Sequence, residues 1–504
     1  MTLNLIFSLA SFAFSVGISF FLTPYIINAI GPSVNGFVQF SHDFINYASV
    51  LTLALNSMAG RFFTIALHQN HYQTANKYVS TLLFSNLVLT FVIILPVFYF
   101  IANIERFLDI PPAIRFEVKT LFGILIVNFG LTLIGSVFSI ATFSANKIYL
   151  KSLRTLEANG MRALLLVIFF RRFGPNIAFI GLATLLSSLY MIAFDIHYTK
   201  KLLPFVSIRK IYFDFLYVKE LVKSGLWNTV IKVGQLFLQG LDLLIANIMI
   251  DSAAMGVLAI AKVVPSVMIA LVSAISNAFM PDFTILYAQN NIPKLAESVK
   301  TSMRFLSVIV NIPVSMILVY GTVFFSLWVP SQDATALHML ASISIITTTF
   351  SGPLNSAYHI FTITNQLKHN ALILILSGIV NLVIVFLLLK TTPLGVYAIT
   401  GVSTVILILR HTFFTATTSA RYLGLPLFSF FPEIARSLLS CFLYTTIGLI
   451  IKQILSPDTW LAFIGCCLAT AVIGAVMNAY TIFNQNERKY IGRLFAVMKQ
   501  ARPK

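Results

Sequence analysis

The chain has 504 residues, 58% of them hydrophobic and 10% charged, with a mean hydropathy of +0.90. Soluble domains carry about 25% charged residues, so the composition excludes an ordinary soluble protein and points to a membrane one. The net charge of +18 would suit nucleic acid, but the cations are scattered over short connections between apolar runs, which excludes that partner.

Apolar runs of 18 or more residues recur along the whole length, each long enough to cross roughly 30 Å of hydrocarbon. A β-barrel would show segments of about 10 residues with alternating polarity instead. The expected fold is an all-α polytopic membrane protein of about 14 transmembrane helices, at 3–30, 35–67, 78–103, 117–143, 154–170, 174–198, 223–250, 254–288, 302–328, 335–364, 370–389, 393–418, 434–454 and 459–483. The first run, MTLNLIFSLASFAFSVGISFFLTPYIINAI, has no basic leader and is too apolar for too long to be a signal peptide, so it reads as a retained helix. The second contains SHDFINYASVLTLALNSMAGRFFT (41–64), which places Asp43 and Arg61 in one membrane helix. At 1.5 Å per residue they lie about 27 Å apart and share a face without pairing. The fifth is short and carries Arg162, with Glu157 and Asn159 near it in sequence. This set suits packing or binding equally. Between the sixth and seventh, KKLLPFVSIRKIYFDFLYVKELVK (199–222) alternates basic and apolar residues and is expected along the inner membrane surface. Asp242 and Lys262 are each ten residues from position 252, at the tip between the seventh and eighth helices. They are expected at similar depth, meeting in at least one state. Arg410 lies about two turns from the inner end of the twelfth helix, where it could snorkel outward or face a cavity. The tail 485–504 reads as a second basic amphipathic segment.

Loops after even-numbered helices, with the tail, hold 22 of the 34 Lys and Arg; the opposite side holds seven, and Arg61, Arg162, Lys232, Lys262 and Arg410 lie within helices. The positive-inside rule then puts both termini in the cytoplasm. Cys441, Cys466 and Cys467 have neither disulfide nor metal spacing, and His42, His359 and His411 read as packed or hydrogen-bonded side chains. No metal site and no Walker motif is expected.

The chain repeats itself at a shift of 220 residues: RFFTIALHQN (61–70) falls on PDFTILYAQN (281–290), and Gly36 falls on Gly256. SANKIYLK (144–151) echoes TITNQLKH (362–369) at nearly the same shift. Two parallel six-helix repeats plus two C-terminal helices follow. Their expected divisions are an N-terminal lobe at 1–198, a connector at 199–222, a C-terminal lobe at 223–418, helices 13 and 14 at 434–484 and the basic tail at 485–504.

Steps of three and four draw polar stripes on the first two helices of each copy. On helix 2 the stripe includes Asp43, Asn46, Ser57 and Arg61; on helix 7, Asn228, Lys232, Gln235, Gln239 and Asp242; on helix 8, Lys262, Ser266, Ser273 and Asn277; on helix 1, Ser8, Ser15 and Ser19. A charge facing lipid at the bilayer centre costs about 2.5–3.5 kcal/mol on the mildest scale, so these faces are expected to line a water-filled cavity between the two copies. Hydrogen bonds between packed helices account for most of the Ser, Thr and Asn residues.

This architecture, with TPYIINAIGPSVNGFVQF (23–40) and ANKIYLKS (145–152), resembles the multidrug/oligosaccharidyl-lipid/polysaccharide (MOP) exporter superfamily, and within it the polysaccharide transport branch, the flippases of O-antigen, capsule and teichoic-acid precursors. The resemblance implies a transporter rather than an enzyme, in the bacterial cytoplasmic membrane, with no cofactor and an unspecified coupling ion. The implied cargo is a polyprenyl-diphosphate-linked glycan turned to the outer leaflet by alternating access, with polysaccharide assembly proteins as further partners. Arg61 and Lys262, then Lys232, Arg162 and Arg410, are the basic residues placed to meet an anionic cargo. Asp43, Asn46, Ser57, Gln235, Gln239, Asp242, Ser266 and Asn277 would line the path. A cation-coupled multidrug exporter of the same superfamily, using Asp43 and Asp242, stays open, as does a membrane glycosyltransferase or ligase.

Overall fold

The computed structural model describes residues 2–364, 366–485 and 487–488. Among them there is no strand. In hydrocarbon every backbone N–H and C=O needs a partner within its own segment, which leaves the helix as the form these apolar runs can take. The helical segments are α1 (Thr2–Ile30), α2 (Pro32–His68), α3 (Tyr72–Ala102), α4 (Pro112–Ser144), α5 (Ile148–Phe173), α6 (Ala178–Leu202), α7 (Phe215–Met249), α8 (Ser252–Ala288), α9 (Ile292–Trp328), α10 (Ala334–Ile363), α11 (Leu367–Thr391), α12 (Val396–Tyr422), α13 (Phe431–Leu455) and α14 (Trp460–Thr481). Twelve are long and apolar enough to cross a membrane, and α7 makes a thirteenth if its two pieces, bent by 44°, count as one span. The chain is a multi-pass membrane protein. The remaining segment, α5, starts earlier than its apolar stretch and carries Lys151, Arg154, Glu157, Arg162, Arg171 and Arg172, too many charges for an ordinary span.

Several segments are broken where the sequence reads as continuous. In α2 the helix stops at Asn56 and resumes at Ala59. In α8 it pauses at Lys262 and again between Asn277 and Met280. Pro265 and Pro281 explain the α8 breaks: a proline has no N–H to give the carbonyl four residues back, here Ala261 and Asn277. The α2 break has no proline, but Ser57 and Gly60 bracket it, and a serine–glycine pair is a common site of a kink. Ser57 and Asn277, 220 residues apart, thus both sit at a break.

The turns also repeat. Asn70 and Asn290 take left-handed conformations, φ 60° and 55°. At each, the next residue's N–H reaches five residues back, His71 to Ala66 O and Asn291 to Leu286 O. The turn before α5 is the same, with Asn146 at φ 53° and Lys147 N–H on Thr142 O. Asparagine is among the few non-glycine residues that visit this region cheaply.

The chain forms two compact units, one of residues 1–260 and 371–396, the other of 261–370 and 397–504. These units group segments in space; the lobes 1–198 and 223–418 remain a proposal drawn from the repeat. In the first unit, the N-terminal half of α3 carries the 203–214 connector as a strap. Asn76 accepts from Ser207 N–H (2.9 Å), Thr81 Oγ1 accepts from Asp214 N–H (3.1 Å), and Leu203 is buried among Phe63, Tyr78 and Leu82. Apart from a short 3-10 turn at Lys210–Tyr212 the strap is irregular. Gly36 and Gly256 touch: a Cβ on Gly36 would lie 3.0 Å from the Gly256 backbone. In the second unit α9 and α13 run parallel, tied by Asn311 to Ser437 (3.1 Å), Ser315 to Cys441 O (3.2 Å) and Tyr320 to Gly448 O (2.9 Å). Small and hydroxyl side chains let these helices approach closely. The basic tail beyond residue 488 lies outside the described residues.

Candidate functional site

The polar stripes of α2 and α7 form one surface within the first unit. The two helices run antiparallel in close contact. A Cβ on Gly225 would come 2.0 Å from Ala54 O, Asn228 donates to Ser57 Oγ (3.3 Å), and the Tyr47 hydroxyl donates to Gly240 O. Asn46, Ser57 and Arg61 on α2 are exposed, as are Gln235 and Gln239 on α7; Asp43 and Lys232 are half-buried and Asp242 is buried. A π turn at Leu236–Gly240 rotates this part of α7 and opens its backbone next to Gln239. Arg61 lies one turn to one side of the Ser57–Asn228 contact and Lys232 one turn to the other, roughly 12 Å apart along the helices. Two long side chains can close that gap around a group the size of a diphosphate. The surface is cationic at Arg61 and Lys232, with the Ser57 hydroxyl and the Asn228 amide between them, and runs past Gln235, Gln239 and Asn46 to the carboxylates Asp43 and Asp242 at its other end.

In the second unit, Lys262 caps the helix after the first α8 break, and Ser266 and Asn277 are exposed. Arg410 does not snorkel. It is 7% exposed and its Nη2 donates to Asn370 Oδ1 at 2.9 Å, while Asn370 donates to the Tyr358 hydroxyl at 2.6 Å. A π turn at Arg410–Thr415 aims the side chain inward rather than along the helix. His359 is also buried, its Nε2 on Ser276 Oγ at 2.9 Å. Among the described residues no group of three or more His, Cys, Asp or Glu side chains could hold a metal.

Arg162 lies outside the Arg61–Lys232 stretch of the α2–α7 surface, near His42 of α2, whose ring its charge reaches. Its sequence neighbours are engaged elsewhere: Glu157 pairs with Arg154 (2.6 Å) and accepts from the Tyr190 hydroxyl, and Asn159 donates to Ser15 Oγ (2.7 Å). Arg162 instead lines a cavity of about 320 Å³ between α4, α5 and α6, together with Lys151 and Asp195. Asp195 is 8% exposed. It escaped the sequence reading, although a lone carboxylate after the apolar run LYMIAF was a signal for it. Also missed was the amide pair Asn56–Asn86, whose side chains exchange hydrogen bonds of 3.0 and 2.9 Å at the α2 break. Arg304, counted above with the inner-side loop charges, is buried inside α9.

No family model matches the sequence. Among solved structures, the lipid II flippase MurJ in an inward closed conformation superposes with a TM-score of 0.66 over 95% of this chain and 98% of its own, at 13% identity. The chain has the MOP fold. An inward-facing multidrug resistance MATE family transporter of the MOP superfamily matches at TM-score 0.64 and 13% identity, over 81% of this chain and 95% of its own. The MOP fold at this identity fixes architecture and not cargo. In sequence, the uncharacterized membrane protein EpsK of Bacillus subtilis (strain 168) is 28% identical over 503 residues, 99% of each chain.

Proposed function

We propose that the chain is a flippase that moves a polyprenyl-diphosphate-linked anionic saccharide from the inner to the outer leaflet by alternating access. The observation that carries this reading is the polar α2–α7 surface, where Arg61 and Lys232 stand on two apolar helices on either side of the Ser57–Asn228 contact. Fixed cations in a low-dielectric wall attract an anion far more strongly than they would in water. The likeness to a lipid II flippase over 95% of the chain supports the reading. It leaves too few residues unmatched to omit both α13 and α14. Lys262, on the second helix of the other repeat, is assigned to the same cargo path, with Arg410 and Arg162 as supporting cations.

The test is export of lipid-linked saccharide in cells. Arg61→Ala and Lys262→Ala should each lower export with membrane abundance near normal. Arg61→Lys should restore only part, because lysine keeps the charge but loses the two-pronged fork that fits a diphosphate. Full export by the Arg61→Ala/Lys262→Ala double variant would overturn the cationic path. A cation-coupled drug exporter is the second reading, favoured by the MATE likeness and by Asp43 on α2. It requires Asp43→Asn to abolish transport of a cationic dye that Arg61→Ala leaves intact.

A further inference from the structure

The cavity between α4, α5 and α6 is chemically unlike the α2–α7 surface. Seven hydroxyl side chains line it. Six of them donate their hydrogen to their own helix: Thr132 to Asn128 O (2.9 Å), Thr155 to Lys151 O (2.9 Å) and Ser187 to Ala183 O (2.7 Å), with Ser136, Ser139 and Thr184 doing likewise. What they leave toward the cavity is lone pairs. The wall is therefore rich in acceptors, and the cationic donors are Arg162 and Lys151. Among the described residues no ion pair forms on Arg162, Lys151 or Asp195. Two cations against one carboxylate leave a net positive charge.

A ligand complementary to this wall carries many hydroxyl donors and a negative charge. Water alone would satisfy the acceptors but not balance the charge. A neutral sugar would fit the hydroxyls but leave one net positive charge, since Asp195 offsets only one of the two cations. The volume of about 320 Å³ lies at the small end of the range for small-molecule pockets, room for one compact group and not for an oligosaccharide. We propose that this cavity binds one acidic, hydroxyl-rich group: a sugar bearing a carboxylate or phosphate. The proposal rests on the reading of the cargo as an anionic saccharide, and assigns one of its acidic sugars a dock of its own. Arg162 and Lys151 hold the anion, and Asp195 accepts from a sugar hydroxyl while limiting the net charge.

The same chemistry occurs in the glycerol-phosphate head of an anionic phospholipid, so the experiment separates the two sources. The full-length protein, in nanodiscs of phosphatidylcholine, is titrated calorimetrically with glucuronate, glucose 1-phosphate, glucose and inorganic phosphate. Both acidic sugars should bind, and glucose should bind at least tenfold more weakly. Inorganic phosphate should be weaker than glucose 1-phosphate, because it lacks the hydroxyl donors. Arg162→Gln should weaken acidic-sugar binding by roughly tenfold to a hundredfold, the scale of a charged hydrogen bond. Asp195→Asn should tighten it several-fold, a gain that misfolding cannot produce. Loss of sugar binding when phosphatidylglycerol replaces a third of the lipid would assign the dock to the lipid head; unchanged binding assigns it to the saccharide. Equal binding of glucose and glucuronate, or weaker binding in Asp195→Asn, overturns the proposal. If Arg162→Gln leaves the titration unchanged while Arg61→Ala stops export, the dock falls and the flippase reading stands. If the dock behaves as described but export ignores Arg61 and Lys262, the dock stands and the export path is the part that fails.

Discussion

Two buried arginines of the second unit are held in opposite ways. Arg304, 2% exposed, meets Glu433 at 3.1 Å, Glu297 at 2.7 Å and Glu487 at 2.8 Å. Glu433 is itself 3% exposed and keeps Arg436 at 2.6 Å when Arg304 is removed, so its charge is left with one partner instead of two. Arg304→Met should lower the melting temperature in detergent, at a cost below the about 3–5 kcal/mol of a fully stranded buried charge, because Arg436 still holds Glu433. Arg410 has a neutral amide instead of a carboxylate, and its buried Nε has no partner among the described residues. Its burial is a cost without a matching ion pair, so Arg410→Met should melt at the same temperature or higher. A drop as large as that of Arg304→Met would refute this. Neither arrangement was legible in sequence, because the partners of Arg304 stand up to 183 residues away and only folding brings them together. For Arg162 the sequence placed the right neighbours, Glu157 and Asn159, but not their other partners Arg154 and Ser15, which is why the choice between packing and binding stayed open until the cavity was seen.

The elements themselves were plain in the sequence, since hydrophobic runs of this length have one stable form in lipid. Their breaks were not. Pro265 and Pro281 were visible, yet proline is common in membrane helices that continue past it, and the α2 break carries no proline at all. The breaks matter because Ser57, Lys262 and Asn277, all assigned to the path, sit on them. Carbonyls released there are tolerated where the backbone lines a polar space. The α2–α7 seam depends on Gly225, whose added Cβ would overlap Ala54 O. Gly225→Ala should therefore push the helices apart, breaking the Asn228–Ser57 bond and lowering both melting temperature and export. Gly123→Ala, with nothing within 4 Å of its Cβ, is the matched control and should do neither. A wild-type melting temperature for Gly225→Ala would show that the seam is looser than this.

At the scale of the whole chain, composition and the 220-residue repeat were enough to reach the MOP fold, because charge depletion, helix number and polar second helices are global properties. The crossing number was harder: α5 passes for a span only if its charges have somewhere to go, and the cavity at Arg162 and Lys151 takes two of them. The orientation proposed from the loop charges puts both termini in the cytoplasm. Single cysteines at Phe107 and Asp333, both exposed, should react with an impermeant maleimide added to intact cells, and one at Lys210 should not. The native Cys441, Cys466 and Cys467 are buried and give little background. Labelling at Lys210 from outside would invert the map.

The touching pair Gly36 and Gly256 carries one more consequence. A position that meets its own repeat-mate is not two independent sites. A Cβ on Gly36 would meet the Gly256 backbone at 3.0 Å, while one on Gly256 would meet Pro32 O at 2.6 Å, one turn before Gly36, so growth at either pushes the start of α2 against α8. Backbone, not a flexible side chain, stands in the way of both. In the descent of this sequence the two codons therefore bear on one contact, with the tighter limit on Gly256. Relatives should keep Gly256, and a lineage altered at either position should show a shifted start of α2 or α8.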